Sequence, residues 1–364
     1  MRRSCFLILI LIMICFLFFA MLVSPARAKA CPADRTVTVM TRNLDAGSDF
    51  LYVIRAASDP NTTQLQLLLA ITNTFQEMIA SDIPGRAKRI SMEIAVNRPY
   101  LIGLQEITTL RTGPIGAPAN AVLVDGLQSL LNALAAKGLH YKIVAAQTNA
   151  VVDLPALDAS GNLIMAGFTD YDAILARTDL PTSEMRISNV EMQHFNLNLP
   201  FALNHTTIPF FRGWLSLQAK IRGKQYKFVT THLETFSPDI QAEQTNELLL
   251  GPLNTELPVI LAGDLNSDAF QPSWANGPAI QILEAAGFQD AWFKLRPQTP
   301  GLTWPLYAED PPGPAIPFQR IDLILTRGGG IKARAVVRTG LTRSTKGVWG
   351  SDHAGVFATF VLPR

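Results

Sequence analysis

Short apolar segments that each end in a small polar cluster recur along this sequence, with helical segments between them. Tyr100–Gln105 and Pro258–Ala262 are two such apolar runs, and their length and composition favour buried strands. Gln64–Ala80, by contrast, carries its apolar residues at a helical spacing. Because strands and helices alternate over the whole length, we expect two β-sheets covered by helices in one large α/β domain.

The individual elements follow from the same patterns. Helices are predicted at Gln64–Ala80, Arg86–Val96, Ala121–Leu139, Pro238–Leu250 and Ala279–Ala286. Trp214–Ile221 and Gln225–Thr230 flank a glycine turn and are predicted to form a β-hairpin. Further strands are expected at Val37–Arg42, Tyr141–Val152, Asp172–Arg177, Ile187–Phe195, Ile321–Thr326, Ala333–Arg338 and Gly355–Leu362.

The first 28 residues have the pattern of an export signal peptide. Arg2 and Arg3 precede the uncharged apolar run Cys5–Val23, and Ala26-Arg27-Ala28 is typical of a cleavage site. We therefore expect cleavage after Ala28 and a secreted or periplasmic protein. The apolar run is almost long enough to span a bilayer, so a retained membrane anchor is the alternative.

The charge balance excludes a strongly cationic nucleic-acid coat. The chain has 31 basic and 29 acidic residues, and removal of the leader would leave 28 basic and 29 acidic residues. Any polyanion binding must then come from a local group of basic residues rather than from the overall field. The candidates for such phosphate contacts are Arg42, Arg212, Arg320 and Arg343.

Polar clusters lie at the ends of the predicted strands. Each cluster alone also fits a structural role, because a terminal Asp or Asn often caps a helix or closes a turn. An acid inside an apolar run, such as Asp322, needs a partner if it is buried. Taken together, the clusters indicate a catalytic site. In chain order they are Arg42-Asn43, Gln105-Glu106, Thr231-His232-Leu233-Glu234, Gly263-Asp264-Leu265-Asn266, Arg320-Ile321-Asp322 and Ser351-Asp352-His353.

These residue types are suited to the hydrolysis of a phosphate ester. Mg²⁺ prefers carboxylate oxygens and retains waters, which makes Glu106 the first candidate ligand and Asp352 the second. A histidine can exchange a proton with a phosphoryl oxygen when a carboxylate orients its ring, and Asp322 is suited to orient His353. The uncharged donors for a phosphate or for the attacking water are Asn43 and Asn266.

The ordered series of clusters resembles the endonuclease/exonuclease/phosphatase superfamily, which includes pancreatic-type DNase, abasic-site endonucleases, neutral sphingomyelinases and inositol-polyphosphate 5-phosphatases. The resemblance implies one domain over residues 36–364, built as a four-layer αββα sandwich of two packed mixed β-sheets flanked by helices. Asn43–Asp49 is similar to the first motif of the proteins in an exported bacterial branch of this superfamily. Residues 49–84 are expected to be a helical insertion relative to the compact nucleases.

The resemblance also implies a divalent metal and roles for particular residues. The metal, usually Mg²⁺ with Mn²⁺ or Ca²⁺ as alternatives, is expected on Glu106 with Asn43 and Asp352 close by. Asp264 and Asn266 are expected to position or activate the attacking water, and the identity of the general base stays open. The remaining expectations are that His353, paired with Asp322, contacts the phosphate, that His232 is catalytic with Asp170 or Asp172 as its partner, and that Asp170, Asp172, Arg42 and Arg320 contact substrate.

Several functions remain open at this point. A phosphodiesterase, most simply a nuclease, ranks first, and a sphingomyelinase-like phospholipid phosphodiesterase is the alternative. The apolar residues Ile208–Phe211 and Trp214 could touch a membrane, unless they form a strand that enters the core. An inositol-phosphate phosphatase is less favoured because no dense basic cluster is visible, and a non-catalytic relative ranks last because the catalytic residue types are present. We expect a monomer with no protein partner.

Overall fold

The computed structural model describes residues 36–203, 206–309, 312–344, 347 and 349–362. Residues 36–364 form one compact unit. The predicted signal peptide at residues 1–28 lies outside the described residues, so its cleavage and the alternative of a membrane anchor stay predictions. Over the ranges described, no helix combines the length and the apolar character that a membrane crossing requires.

Two mixed β-sheets form the centre of the domain. The first sheet contains, in spatial order, β16 (Lys332–Thr339), β17 (Gly355–Val361), β1 (Thr36–Asn43), β2 (Leu101–Pro114), β5 (Leu163–Arg177) and β4 (Tyr141–Leu157), with β3 (Ala121–Asp125) paired to β2. The second contains β12 (Gln289–Asp290), β15 (Asp322–Arg327), β11 (Val259–Asp264), β10 (Lys224–His232), β9 (Gly213–Ile221) and β6 (Met185–His194). Short hairpins are β7 (Phe201–Leu203) with β8 (Thr206–Ile208), and β13 (Tyr307–Glu309) with β14 (Pro312–Pro314).

Helices cover the outer faces of both sheets. In chain order they are α1 (Leu51–Ser58), α2 (Gln64–Ala80), α3 (Ile83–Asn97), α4 (Gly126–Ala135), α5 (Pro238–Leu250), α6 (Ala279–Ala285) and α7 (Ala291–Leu295). Ile90 of α3 and Leu130 of α4 pack with Leu104 of the first sheet. Leu248 of α5 packs with Leu261 of the second sheet. The predicted four-layer αββα sandwich is therefore confirmed.

The core between the two sheets holds them at a defined spacing. Leu101 of the first sheet and Phe228 of the second are both fully buried in one apolar cluster. At the same level Gln105 Nε2 donates to Thr230 Oγ1 at 3.0 Å, which links the sheets by a polar contact. A Cβ atom on Gly103 would lie 2.2 Å from Thr230 Oγ1, so this approach of β2 to β10 requires glycine.

Local signals account for the elements that were predicted with correct bounds. The helices at Gln64–Ala80 and Pro238–Leu250 are confirmed at both ends. Thr63 and Gln66 form a capping box at the start of the first, and Ser237 caps the second. The β9–β10 hairpin is also confirmed, with Gly223 at a φ of 85° in its turn.

The predicted helix over Ala121–Leu139 is wrong in its first part. Residues 121–125 form β3, which pairs with β2 in the first sheet, and α4 begins only at Gly126. Asp125 caps α4, because its side chain accepts a hydrogen bond from Gln128 N at 2.8 Å. The β-branched Val122 and Val124 suit a strand, and pairing with β2 outweighs the helical spacing that continues from residue 126.

Three strands are longer than predicted. β2 continues to Pro114, β4 to Leu157, and β5 begins at Leu163. Their extended ends pair with one another beyond the site. The segment predicted to be an insertion, residues 49–84, contains α1 and α2. Both helices pack with the outer parts of these long strands.

Candidate active site

Strand pairing brings the predicted site residues of the second sheet to one end of the sandwich. His232 lies opposite Asp264 on the parallel strands β10 and β11, and Asp264 lies opposite Asp322 on the antiparallel strand β15. In the first sheet Asn43 lies opposite Gln105 on the parallel strands β1 and β2. Because both sheets end here, residues far apart in the sequence form one cluster.

Asn43 links acids that belong to different sheets. Its Nδ2 donates to Glu106 Oε1 at 2.8 Å and to Asp264 Oδ2 at 3.0 Å, while its Oδ1 accepts from Asp45 N at 2.7 Å. The side chain is fully buried. In this orientation Asn43 holds the two carboxylates together and its oxygen is occupied by a backbone N–H. The arrangement therefore supports a positioning role rather than the predicted role of metal ligand.

Glu106 reaches the cluster from a β-bulge. The register between β2 and β5 shifts between Leu104 and Ile107, and Glu106 has a left-handed φ of 52°. A bulge of this kind redirects a side chain from the normal strand alternation. Burial, followed by the nearby charge of Asp352, raises the pKa of Glu106 to about 7. The surroundings of Glu106 thus disfavour its ionised form.

Asp352 is the second acid of this region. Its Oδ2 accepts from Trp304 Nε1 at 2.9 Å and lies 3.9 Å from His353 Nε2. Burial raises the pKa of Asp352 to about 6, although the His353 charge acts in the opposite direction. Asp352 and Glu106 are thus two carboxyl groups that a bound cation would help to ionise.

His353 and Asp322 form the predicted pair. His353 Nδ1 lies 2.9 Å from Asp322 Oδ2, and the imidazole is 5 % exposed. Burial alone would lower the pKa of His353, but the carboxylates of Asp322, Asp352 and Asp264 outweigh it and raise the pKa well above its ordinary value. These charges favour the imidazolium form of His353, in which Nε2–H is directed away from Asp322.

Both carboxylate oxygens of Asp264 accept a hydrogen bond, and Oδ2, which accepts from Asn43, also faces the cluster. Oδ1 accepts from Asn266 N at 3.0 Å, whereas Oδ2 lies 3.8 Å from His232 Nε2 and 3.7 Å from His353 Nδ1. Burial, followed by the charge of Asp322, raises the pKa of Asp264. The Asn266 side chain donates to Leu233 O at 2.9 Å, so it connects the ends of β10 and β11.

His232 lies beside Arg212 rather than beside an acid from β5. Arg212 Nη1 is 2.7 Å from His232 Nδ1, and burial together with Arg212 and His353 lowers the pKa of His232 well below its ordinary value. The expected partner Asp170 instead accepts from Asn149 Nδ2 at 2.9 Å. The structure therefore does not support the predicted pairing of His232 with Asp170 or Asp172, because the group beside His232 is the Arg212 guanidinium and not a carboxylate.

Asp170 and Asp172 are buried in the protein, each 1 % exposed, and this does not support their predicted contact with substrate. Burial raises the pKa of Asp170 to about 7. Burial and then the charge of Asp170 raise the pKa of Asp172 well above its ordinary value. Neither carboxylate oxygen of Asp172 accepts a hydrogen bond from the part of the chain that the structure describes.

Two of the arginines proposed for phosphate binding are likewise internal. Arg42 is fully buried, bonds both carboxylate oxygens of Glu93 at 3.1 Å and donates to His353 O at 2.6 Å. Arg320 is 4 % exposed and pairs with Asp290. Both side chains are buried and both terminal nitrogens of each guanidinium bond protein acceptors, so the structure does not support substrate contact by either residue. Arg42 touches the cluster only through the backbone carbonyls of Asn43 and His353, whereas Arg212 contacts the side chain of His232.

The donor set fits a divalent cation. Glu106, His232 and Asp264 bring ligand atoms within 4.8 Å of one another, and so do Asp264, Asp322 and His353. In the second set His353 is an imidazolium held by Asp322, which leaves the first set, with Asp352 nearby, better suited to a cation. Carboxylate oxygens are the ligands that Mg²⁺ prefers, and a cation would balance the charge that raises the pKa of Glu106.

Some residues that hold the site were not predicted from the sequence. Tyr307 donates to Asp45 Oδ2 at 2.5 Å, and Arg86 donates to the Leu44 carbonyl, so both fix the loop that follows β1. Trp304 positions Asp352 as described above. Only the Asn43–Asp49 motif gave a signal for this loop, while Tyr307 and Trp304 come from a part of the chain with no motif.

Comparison with known proteins agrees with this geometry. The model of the Endonuclease/Exonuclease/phosphatase family matches residues 78–353, well over half of the chain. An endonuclease/exonuclease/phosphatase family protein from Leptotrichia buccalis has a TM-score of 0.54 at 15% identity, covering 89% of this chain and 99% of its own. Truncated Caenorhabditis elegans TDP2 has a TM-score of 0.51 at 17% identity, covering 90% and 97%. TDP2 of D. rerio, complexed with a single-strand DNA product, has a TM-score of 0.51 at 17% identity, covering 90% and 99%. At these identities the structures show a shared fold, and no curated protein matches the sequence.

Proposed function

Because the chain belongs to the endonuclease/exonuclease/phosphatase family, we propose that it is an exported, Mg²⁺-dependent phosphodiesterase. Members of this family are generally hydrolases of phosphoester bonds and generally use divalent metal ions. The observation that carries the proposal is one cluster in which Asn43 joins Glu106 to Asp264 while Asp322 holds His353 as a cation. The leader pattern at residues 1–28 supports export.

In the proposed reaction a water attacks phosphorus, a new P–O bond forms and the bond to the leaving oxygen breaks. Asp264 Oδ2 faces the cluster and has a raised pKa, so it is the group that accepts the proton of the water. His353 Nε2–H donates to the phosphate and supplies the proton of the leaving oxygen. Asn43 keeps Asp264 aligned, and neutral His232 adds an uncharged polar group beside them.

The metal would be held by Glu106, with Asp352 close by, while Asp264 serves as the base. When bound, the cation supplies Lewis-acid stabilisation of the charge that develops on the phosphoryl oxygens. The protein's own contribution is to hold the Glu106 and Asp264 carboxylates together through Asn43, while the closest side-chain contact of His353 is with Asp322 and that of Arg212 is with His232.

A chromogenic phosphodiester tests the activity directly. EDTA should abolish turnover and Mg²⁺ should restore it, so turnover that resists EDTA would refute the metal role. His353→Ala should lower kcat by about 10²–10⁴-fold with little change in the thermal midpoint, since general acid catalysis contributes about that much. His140→Ala removes an exposed histidine and should leave kcat unchanged. Near-normal turnover by His353→Ala would contradict the assignment.

The leader requires a separate test. If the chain is exported, the protein recovered outside the cytoplasm should begin at Lys29 when its N-terminus is sequenced. An N-terminus at Met1 in the membrane fraction would favour the anchored alternative.

Two substrate classes remain candidates for this activity. A nucleic acid ranked first from the sequence, but the arginines expected to bind its phosphates, Arg42 and Arg320, are buried and paired. A phospholipid is favoured by a different observation, which is that Ile208 and Phe210 line an apolar cavity beside the site. Side-by-side hydrolysis of single-stranded DNA and a phospholipid vesicle would rank the two classes.

A further inference from the structure

An apolar cavity of about 380 Å³ opens beside the proposed catalytic cluster. One wall comes from α1 and α2, with Val53, Ile71 and Phe75 among its residues. The floor is formed by long strands of the first sheet, including Ala166 and Phe168 of β5. Specific small-molecule sites usually have volumes of about 300–1,000 Å³ and mainly apolar walls, so both the size and the lining fit a ligand site.

Residues 199–203 and 208–212 supply a further wall. Phe201, Leu203, Ile208 and Phe210 line the cavity from this side. The sequence left open whether Ile208–Phe211 is a membrane-contacting surface or a strand that enters the core, and the structure fully matches neither expectation. Ile208 and Phe210 are partly buried against the cavity, whereas Pro209 and Phe211, which do not line it, are exposed.

Arg212 lies between the cavity and the reacting centre. This residue lines the cavity, lies over the Phe210 ring at 5.2 Å and contacts His232 Nδ1 at 2.7 Å. His232 Nε2 in turn is 3.9 Å from Glu106 Oε1. A ligand with its anionic head beside Arg212 would therefore have its phosphate next to the metal-binding acids and its tail among apolar side chains.

The cavity also reaches solvent. Phe236 and Leu199 line it and are 73 % and 37 % exposed, so apolar side chains remain at its mouth. Apart from the charged Asp49, Arg212 and Glu234, Thr74 is the one polar side chain among the described lining residues. A nucleobase has a polar edge that needs several hydrogen-bonding partners, whereas a hydrocarbon chain needs none, so the lining favours the chain.

We propose that this cavity binds the hydrocarbon chain of a phosphodiester substrate while Arg212 and the acid cluster hold its phosphate. The proposal rests on the proposed phosphodiesterase function and assigns its substrate class. A methylene group occupies about as much space as a water molecule, for which the liquid volume is about 30 Å³. The cavity therefore has room for on the order of ten chain carbons. The helical segment 49–84 provides one side of this site.

A series of alkyl p-nitrophenyl phosphates with methyl, butyl, octyl and dodecyl chains tests the assignment. Hydrolysis adds water to phosphorus and releases p-nitrophenol and the alkyl phosphate, so one absorbance reading follows every member. Below the critical micelle concentration, kcat/KM should rise by up to roughly fourfold per added methylene until the cavity is full. A flat profile would overturn the proposal.

Substitutions in the cavity wall test whether the chain-length dependence arises in the cavity. Ala166→Phe adds a ring inside the cavity and should abolish the gain from long chains while the methyl ester reacts as before. Phe168→Ala enlarges the cavity and should move the preferred chain to a greater length. Ala335→Phe adds the same ring at an exposed position of β16, at the far edge of the first sheet, and should change neither. Because each variant is compared with its own methyl ester, loss of folding is separated from loss of chain binding.

Two further measurements separate this proposal from the function on which it rests. If no ester is hydrolysed, the proposed function fails, but calorimetric binding of dodecyl phosphate, weakened by Ala166→Phe, would still support the cavity assignment. Absence of that binding would overturn it. Cleavage of a single-stranded oligonucleotide in preference to every alkyl ester, unaffected by Ala166→Phe, would also overturn it and assign a nucleic acid instead.

Discussion

Replacement of Arg42 by alanine should destabilise the protein strongly, because Arg42 is a buried structural cation. Its side chain is fully buried, and that of its partner Glu93 is 10 % exposed. The guanidinium bonds both oxygens of Glu93 and the carbonyls of Asn43 and His353. Among the described residues, the substitution would leave the Glu93 carboxylate with Thr339 as its remaining hydrogen-bond donor, and two carbonyls without the Arg42 donor.

The size of the effect follows from these contacts. Breaking a buried ion pair by removing one partner costs about 3–5 kcal/mol, since the other charge stays buried without compensation. In a domain that spans residues 36–364 each kcal/mol lowers the thermal midpoint by about 1.5 °C, so the expected decrease is about 4–7 °C. The turnover number should also fall, because the carbonyls that Arg42 holds belong to two residues of the proposed site.

Thermal and urea unfolding of Arg42→Ala, followed by circular dichroism, would measure the decrease. Arg186→Ala is the matched control, because Arg186 lies exposed on β6 and its loss should change stability by less than about 0.5 kcal/mol. An unchanged midpoint combined with a raised KM would refute the structural role and restore Arg42 as a phosphate contact.

Two other predictions concern buried acids. Asp172→Asn should raise the thermal midpoint at pH 8, because the carboxylate is buried without a hydrogen-bond donor from the described residues; a lowered midpoint would indicate that its charge is needed. In EDTA, the free energy of unfolding should fall as pH rises from about 4.5 to about 7, because burial raises the pKa of Glu106 and the folded chain keeps a proton that the unfolded chain loses. Mg²⁺ should reduce that fall by binding the ionised folded state, and equal urea-unfolding results at pH 5 and pH 8 with and without Mg²⁺ would contradict this.

Helices and strand positions that depend on local pattern were predictable from the sequence. The capping residues Thr63 and Ser237 mark the starts of α2 and α5, and the apolar spacing defines their lengths. The predicted helix over 121–139 failed because pairing of β3 with β2 is a long-range contact. The cap at Asp125 was a local sign that the helix starts later, but a single acid within an apolar run did not outweigh the spacing.

Some contacts of the candidate site were also predictable from the sequence, and others were not. Asp322 and His353 were predicted as a pair because their residue types have complementary roles, and the structure brings them together at 2.9 Å. The partner of His232 was not predictable, because Arg212 reaches it from the start of β9 through a packing arrangement that no motif encodes. The apolar cavity was not predictable either, since its walls combine helices, a hairpin and long strand ends from separate parts of the chain.

The origin of the reacting groups on two different sheets has a consequence for partly folded states. Asn43 of the first sheet and Asp264 of the second are joined by a hydrogen bond of 3.0 Å. If one sheet slid along the other by a single residue, about 3.3 Å, the donor and acceptor would separate and that hydrogen bond would break. Activity therefore requires that the two sheets be docked in the correct register. A state in which both sheets are formed but not yet docked would keep its secondary structure and be inactive. Activity should return after the circular dichroism signal during refolding, and the interval would time the docking of the sheets.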